Sequence, residues 1–269
     1  MLAFMHIRKT GGLTMRAILR KNFGTKNCDC PINNVIQLED WHWVKRCYPN
    51  LQSLQVHSVR IGAGLEQVFQ KPRFFTIIRD PFKRSLSHYQ HTMFHGSHNT
   101  PLKDWIGGIS NELCQAICGE ENSQHAIDVI EEHIGFMGIT EHYNESMLLW
   151  RKWTGFPDLD LIYKPKNLAR TSEAKEKLLA DKEAVELIHT HNQEDQRLFD
   201  YVCNTIYPRQ KSGYGDSLST DLKEYEQNLV RGSNLSFQAI LGTAKRHLIY
   251  KRGLRDWKEE QGTTGKRVA

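Results

Sequence analysis

The chain has 269 residues, 39% hydrophobic and 25% charged, the composition of a globular protein with one α/β domain or one domain plus a small appendage. A formal net charge of +5 favours anionic partners, but no dense basic stripe with interleaved aromatics is present, which argues against nucleic-acid binding. No apolar run reaches bilayer length and the opening MLAFMHIRK is too soon interrupted for a signal peptide, so neither a transmembrane segment nor export is expected.

In chain order, Leu2 to Ile7 reads as a buried strand, and Thr14 to Phe23 carries Met15, Ile18, Leu19 and Phe23 at helical spacing. Leu51 to His57 reads as a second strand, and Arg73 to Arg79 (RFFTIIR) is the clearest of all, rich in aromatic and β-branched residues. Pro81 then opens a helix through His91. Helix, strand, helix and strand follow at Ile127 to His133, Gly135 to Thr140, Glu145 to Trp153 and Leu159 to Tyr163. This rhythm predicts an α/β fold, a central parallel sheet of about five strands with helices on both faces.

Beyond Pro165 the strands stop. Ser172 to Asp181 and Lys182 to Thr205 read as helices, Tyr207 to Ser219 as a turn-rich loop, and Thr220 to Trp257 as helical again. The expected organisation is one domain over residues 1–215, with 216–269 a helical extension packed on it. The six cysteines (28, 30, 47, 114, 118 and 203) form no C-x-x-C pair. Cys28, Cys30 and Cys47 with His42 could in principle wrap zinc, but their spacing fits no standard ligand pattern, so no metal is expected. Thiols in a reducing compartment are the simpler reading, which favours the cytoplasm.

Two stretches carry the chemistry. In FMHIRKTGGLTMRAIL (residues 4–19) a strand runs through Lys9-Thr10-Gly11-Gly12-Leu13-Thr14 straight into a helix. Unsatisfied amides at a helix start suit an anion, and paired glycines let the backbone curl round it. The Lys precedes the glycines, whereas a Walker loop has it after them, so an ordinary ATPase or kinase is disfavoured. In FTIIRDPFKRSLSHYQH (residues 75–91) a strand delivers Arg79 to its C-terminal end, and Ser87 follows on the next helix. That pairing suits a second phosphate held by charge-assisted hydrogen bonds.

In order and local sequence the two stretches resemble those of sulfotransferases that use 3′-phosphoadenosine 5′-phosphosulfate (PAPS), above all heparan sulfate 2-O- and 6-O-sulfotransferases and their bacterial relatives. GFMGITEHYNESML (135–148) and HNQEDQRLFDY (191–201) are similar to two further segments of that family. The resemblance implies a P-loop-like three-layer domain. It assigns Lys9, Thr10, Gly11, Gly12, Leu13 and Thr14 to the 5′-phosphosulfate, and Arg79 and Ser87 to the 3′-phosphate. Arg8 and Leu13 depart from the family pattern, and Arg209 and Lys211 fall where relatives add late nucleotide contacts. The animal relatives are membrane-anchored in the Golgi, which leaves the Golgi lumen as the alternative compartment for a trimmed catalytic domain.

Sulfuryl transfer needs charge stabilisation on the departing phosphate, a role for Lys9, and a base for the acceptor proton. His57 closes a strand where an α/β site opens, and the relatives carry their catalytic His in a comparable segment. His42 lies in an aromatic patch with Trp41 and Trp43 that suits packing or sugar stacking. His6 would only orient the loop, and His88 and His91 are structural candidates. Glu141 could support the acceptor side. The expected partner is a carbohydrate or other hydroxyl acceptor, with PAPS as co-substrate. The rival readings are a non-catalytic nucleotide- or anionic-glycan-binding protein and an atypical nucleotide kinase.

Overall fold

The structure, a computed structural model, describes residues 1–29, 38–57, 59–94, 102–164, 173–230 and 236–247. The first half alternates β1 (Leu2–Met5), α1 (Gly12–Phe23), β2 (Asn27–Cys28), α2 (Leu38–Cys47), β3 (Ser53–Val56), α3 (Leu65–Val68) and β4 (Arg73–Ile78). Next come α4 (Pro81–Phe94), α5 (Leu102–Gly107), α6 (Glu112–Cys118), α7 (Ser123–His133), β5 (Ile134–Ile139) and α8 (Tyr143–Thr154). The remainder is helical: α9 (Glu173–Ala180), α10 (Lys182–His191), α11 (Gln193–Tyr201), α12 (Tyr207–Tyr214), α13 (Leu218–Val230) and α14 (Phe237–Lys245).

The five strands form one parallel sheet in the order β2-β3-β1-β4-β5. β1, β3 and all of β4 but Arg73 are buried, as a sheet covered on both faces requires. The chain leaves β1 toward β3 and β2 and later crosses to β4 and β5. Right-handed crossovers therefore put α1 on one face and the β4-to-β5 connection on the other. The direction reverses at β1, so the crevice beyond its C-terminal end is the place for a ligand.

Three expectations are corrected. Leu159 to Tyr163 is not a strand, and the fifth strand is the two-residue β2 beside β3. Leu159 and Leu161 are buried, but their backbone is held by side chains. Asn22 bonds the main chain of Asp160 on both sides, and Tyr225 donates to Leu161 O at 2.8 Å. Tyr207 to Ser219 is not all loop. A π-helical turn over Val202–Ile206 runs straight into α12. Its widened spacing accommodates Pro208, which has no N–H to give a regular helix. The helix expected over Lys182 to Thr205 breaks at Asn192, whose side chain donates to Ile188 O at 2.7 Å in place of regular continuation. Of the helix expected over Thr220 to Trp257, residues 231–235 and 248–257 lie outside the described residues.

Several basic side chains near the two ends of the chain are paired internally. Arg20 pairs with Asp29, Arg246 approaches the same carboxylate at 3.6 Å, and Lys21 donates to Ile162 O at 3.2 Å. Lys245 stands 4.3 Å over the Tyr48 ring and donates to Thr25 O, which ties α14 to the first βα unit. Trp41 and Trp43 are buried on α2, with Trp41 Nε1 donating to Ala63 O, so of the two uses considered for that patch they serve packing. Cys30 lies outside the described residues, among which no cluster of His, Cys, Asp or Glu could hold a metal ion. No helix among them is long and apolar enough to cross a membrane.

Candidate active site

β1 ends at Met5, and the next six residues turn the chain back into α1. Lys9 (φ 67°) and Gly11 (φ 90°) both take left-handed backbone. The loop is stapled from inside: the buried Thr10 hydroxyl donates to Ile7 O at 3.0 Å, and Thr14 N donates to Gly11 O. Thr10 is fully buried, with its hydroxyl turned inward. Gly12 and Leu13 open α1, where first-turn amides have no helical carbonyl to bond.

Neighbouring side chains enforce both glycines. A Cβ on Gly11 would sit 2.7 Å from the Tyr143 ring, and one on Gly12 only 1.9 Å from His6 Nε2. Tyr143, the first residue of α8, also donates its hydroxyl to Gly11 O at 3.3 Å. The sequence reading missed this residue, although it lies inside the GITEHYNE segment.

The second motif meets the first at the sheet's C-terminal edge. Arg79 Nη1 donates to Lys9 O at 3.2 Å, and Thr140 Oγ1 lies 2.9 Å from both Thr10 O and Ile78 O, bridging β5, β4 and the loop. Arg79 Nε is buried and has no partner among the described residues. Burial and then the neighbouring Arg79 lower the Lys9 pKa. For Arg79, burial outweighs Glu141 and Asp80 and also lowers the pKa. Two partly buried cations and an unused guanidinium N–H are groups that can hold anionic oxygen.

Asp80 caps α4 by accepting from Lys83 N at 2.7 Å. Ser87 is half-buried, and helical spacing puts it on the flank of α4 shared with Lys83 and Arg84, about 140° round from Phe82. Arg84 is fully buried and pairs with Glu112 of α6, which His88 approaches at 3.6 Å. Burial alone would raise the Glu112 pKa, but the His88 contact and the charges of Arg84, His88 and Arg8 hold it below the usual carboxylate value. Glu141 is exposed and accepts from Asp80 N at 3.4 Å, so it braces the motif turn.

His57 follows β3 directly. The β1–β3 register pairs Met5 with Val56, so His6 and His57 leave the sheet side by side. Their rings stack at 4.0 Å and 21°. His57 Nδ1 lies 2.8 Å from His6 O. A carbonyl only accepts, so Nδ1 carries the proton and Nε2 keeps its lone pair. Burial, followed by Arg8 and Arg16, lowers the His57 pKa against the opposing effect of its backbone bond. His42 is exposed on α2.

Some predicted residues fall outside this constellation. Arg209 and Lys211 lie on α12 and pair with Glu131 and Glu145. In the HNQEDQRLFDY segment, Asp195 is buried and accepts from Leu113 N and Cys114 N at 2.9 Å, so it caps α6.

A parallel α/β sheet with a glycine loop at its switch point and the cations Lys9 and Arg79 beside it is a frame that can hold an anionic ligand. The model of the sulfotransferase family matches residues 1–202, three quarters of the chain. The chain belongs to the sulfotransferase family. No curated protein matches it.

Proposed function

We propose that this sulfotransferase moves the sulfuryl group of PAPS to a hydroxyl of a carbohydrate, by in-line displacement with His57 as the base. The observation that carries the reading is the Arg79–Lys9 contact, which joins the two anion-binding motifs in one crevice. The residues fit the nucleotide: the amides of Gly12 and Leu13 and the Lys9 ammonium suit the 5′ end. Arg79 with its unused Nε, and Ser87, suit the 3′-phosphate.

When bound, PAPS supplies an activated sulfuryl group whose bond to the 5′-phosphate breaks as the acceptor oxygen attacks sulfur. His57 takes the acceptor proton at Nε2, and its lowered pKa keeps it neutral and able to do so at neutral pH. Lys9 neutralises the charge developing on the departing phosphate. Resemblance to polysaccharide sulfotransferases and the net positive charge favour a carbohydrate acceptor.

Calorimetry with PAP (the desulfated product) and ATP, on the wild type and Arg79→Ala, tests the donor site. PAP should bind well ahead of ATP. Losing hydrogen bonds to a charged group, worth about 1.5–3 kcal/mol, should weaken PAP roughly 10- to 150-fold in the variant. ATP binding as tightly as PAP would favour the kinase reading. Failure of any saccharide in a panel to take sulfate from PAPS would favour a binding protein.

A further inference from the structure

We propose that His6 is a positioning residue for His57: its main-chain oxygen fixes the tautomer of the neighbouring ring, and its imidazole fixes that ring's plane. The inference rests on the reading of His57 as the base. Its evidence is the set of contacts that hold the His6 ring.

The His6 ring is wedged between Phe4, stacked at 5.6 Å, and His57 at 4.0 Å. Gln55 of β3 is buried, and its Nε2 donates to Gly12 O at 3.0 Å and reaches His6 Nδ1 at 3.4 Å. The Gly12 oxygen can only accept, so the Gln55 amide is oriented with its NH2 toward both partners. His6 Nδ1 is then an acceptor and its Nε2 carries the proton. Nε2 lies against the Gly12 backbone with no room for a methyl group between them.

One imidazole is therefore clamped by a strand residue, the first glycine of α1 and an aromatic neighbour, and His57 lies on its other face. Burial, then His57 and Arg16, push the His6 pKa down to about 3. His6 thus stays neutral over the working range and does not compete for the proton His57 accepts. The charged groups facing the pair are Arg8 in the loop and Arg16 on α1, and both oppose a second positive charge there. A ring that only filled space would not need the Gln55 contact or the parallel stack.

Nitrogen-15 NMR of the full chain labelled at histidine, with His57 assigned through His57→Gln, tests the proposal without reference to activity. The wild type should show His57 as the Nδ1–H tautomer with a pKa below 6.5. His6→Ala should expose the His57 face and raise its pKa toward 6.5, while His6→Phe, which keeps the stack, should leave it low. If His6→Ala does not fold, His6→Gln gives the same comparison. An Nε2–H tautomer in the wild type, or an unchanged His57 pKa in His6→Ala, overturns the proposal.

The pH dependence of kcat separates this from the base assignment. In His6→Ala its acid limb should move up with the NMR pKa, and kcat should fall roughly 10- to 100-fold as the ring loses its fixed plane. A merely structural defect would instead lower kcat evenly across pH. An NMR shift without a moving acid limb means that His6 positions His57 but His57 is not the base.

Discussion

Gly12→Ala tests the wedge in the anion loop directly. The added Cβ would lie 1.9 Å from His6 Nε2 and 2.0 Å from its Cδ2. Nonbonded heavy atoms settle at roughly 3.5 Å or beyond, so the imidazole must retreat by about 1.5 Å. Phe4 and His57 flank it, so the ring cannot retreat without pressing on one of them. Overpacking of this kind costs about 1–3 kcal/mol. For a domain of this size each kcal/mol lowers Tm by roughly 2–4 °C, readable by calorimetry. If His57 is the proposed base, displacing it by about 1 Å should cost on the order of a hundred-fold in kcat, measured by transfer of radiolabelled sulfate from PAPS. His6→Ala in the same chain makes room for the methyl group, so the double variant should recover part of the lost stability, with a coupling of about 0.5–3 kcal/mol. A Gly12→Ala protein with wild-type Tm and kcat, or a strictly additive double variant, would refute the argument.

Glu112→Gln should destabilise the protein by about 3–5 kcal/mol in urea melts, because it leaves the fully buried Arg84 without its counter-charge; Glu112→Gln with wild-type stability would show that water or another group neutralises Arg84. Acid should destabilise the chain through His6. Its folded pKa, about 3, lies below the ordinary 6.5, so below pH 6.5 the unfolded chain takes a proton that the folded chain refuses. Stability should therefore fall with pH from 6.5 toward 3, by at most about 1.4 kcal/mol per pH unit, and His6→Phe should remove that slope from melts between pH 5 and 6.5. Arg73→Ala should cost about 1–3 kcal/mol in the same melts. It removes bonds to Trp153 O and Thr154 O and a guanidinium 4.3 Å over the Trp153 ring, and an unchanged midpoint would argue against that clasp.

The parts of the site that the sequence made legible are local ones. A strand running into Lys9-Thr10-Gly11-Gly12 and a strand ending at Arg79 are contiguous words, and buried strands announce themselves by apolar runs. The edge strand β2 was not legible, because two residues, Asn27 and Cys28, carry no period. Leu159 to Tyr163 misled for the opposite reason: buried apolar residues look alike whether a strand or a helix covers them, and here Asn22 and Tyr225 take the backbone bonds. Tyr143, Thr140, Gln55 and Glu112 were invisible as site residues, since each acts on a partner more than 25 residues away.

The sequence by itself determined the alternation of strands and helices, the glycine loop between β1 and α1 and the family to which the chain belongs, because these are written in short stretches whose chemistry is read residue by residue. Only the tertiary structure decided that Arg79 meets the Lys9 carbonyl, that Asp195 caps a distant helix, and that His6 rather than a ligand alone forbids a side chain at Gly12. It also decided that His57 presents Nε2, because that depends on the parallel register of β1 and β3, which brings residues fifty-one positions apart within a hydrogen bond of each other.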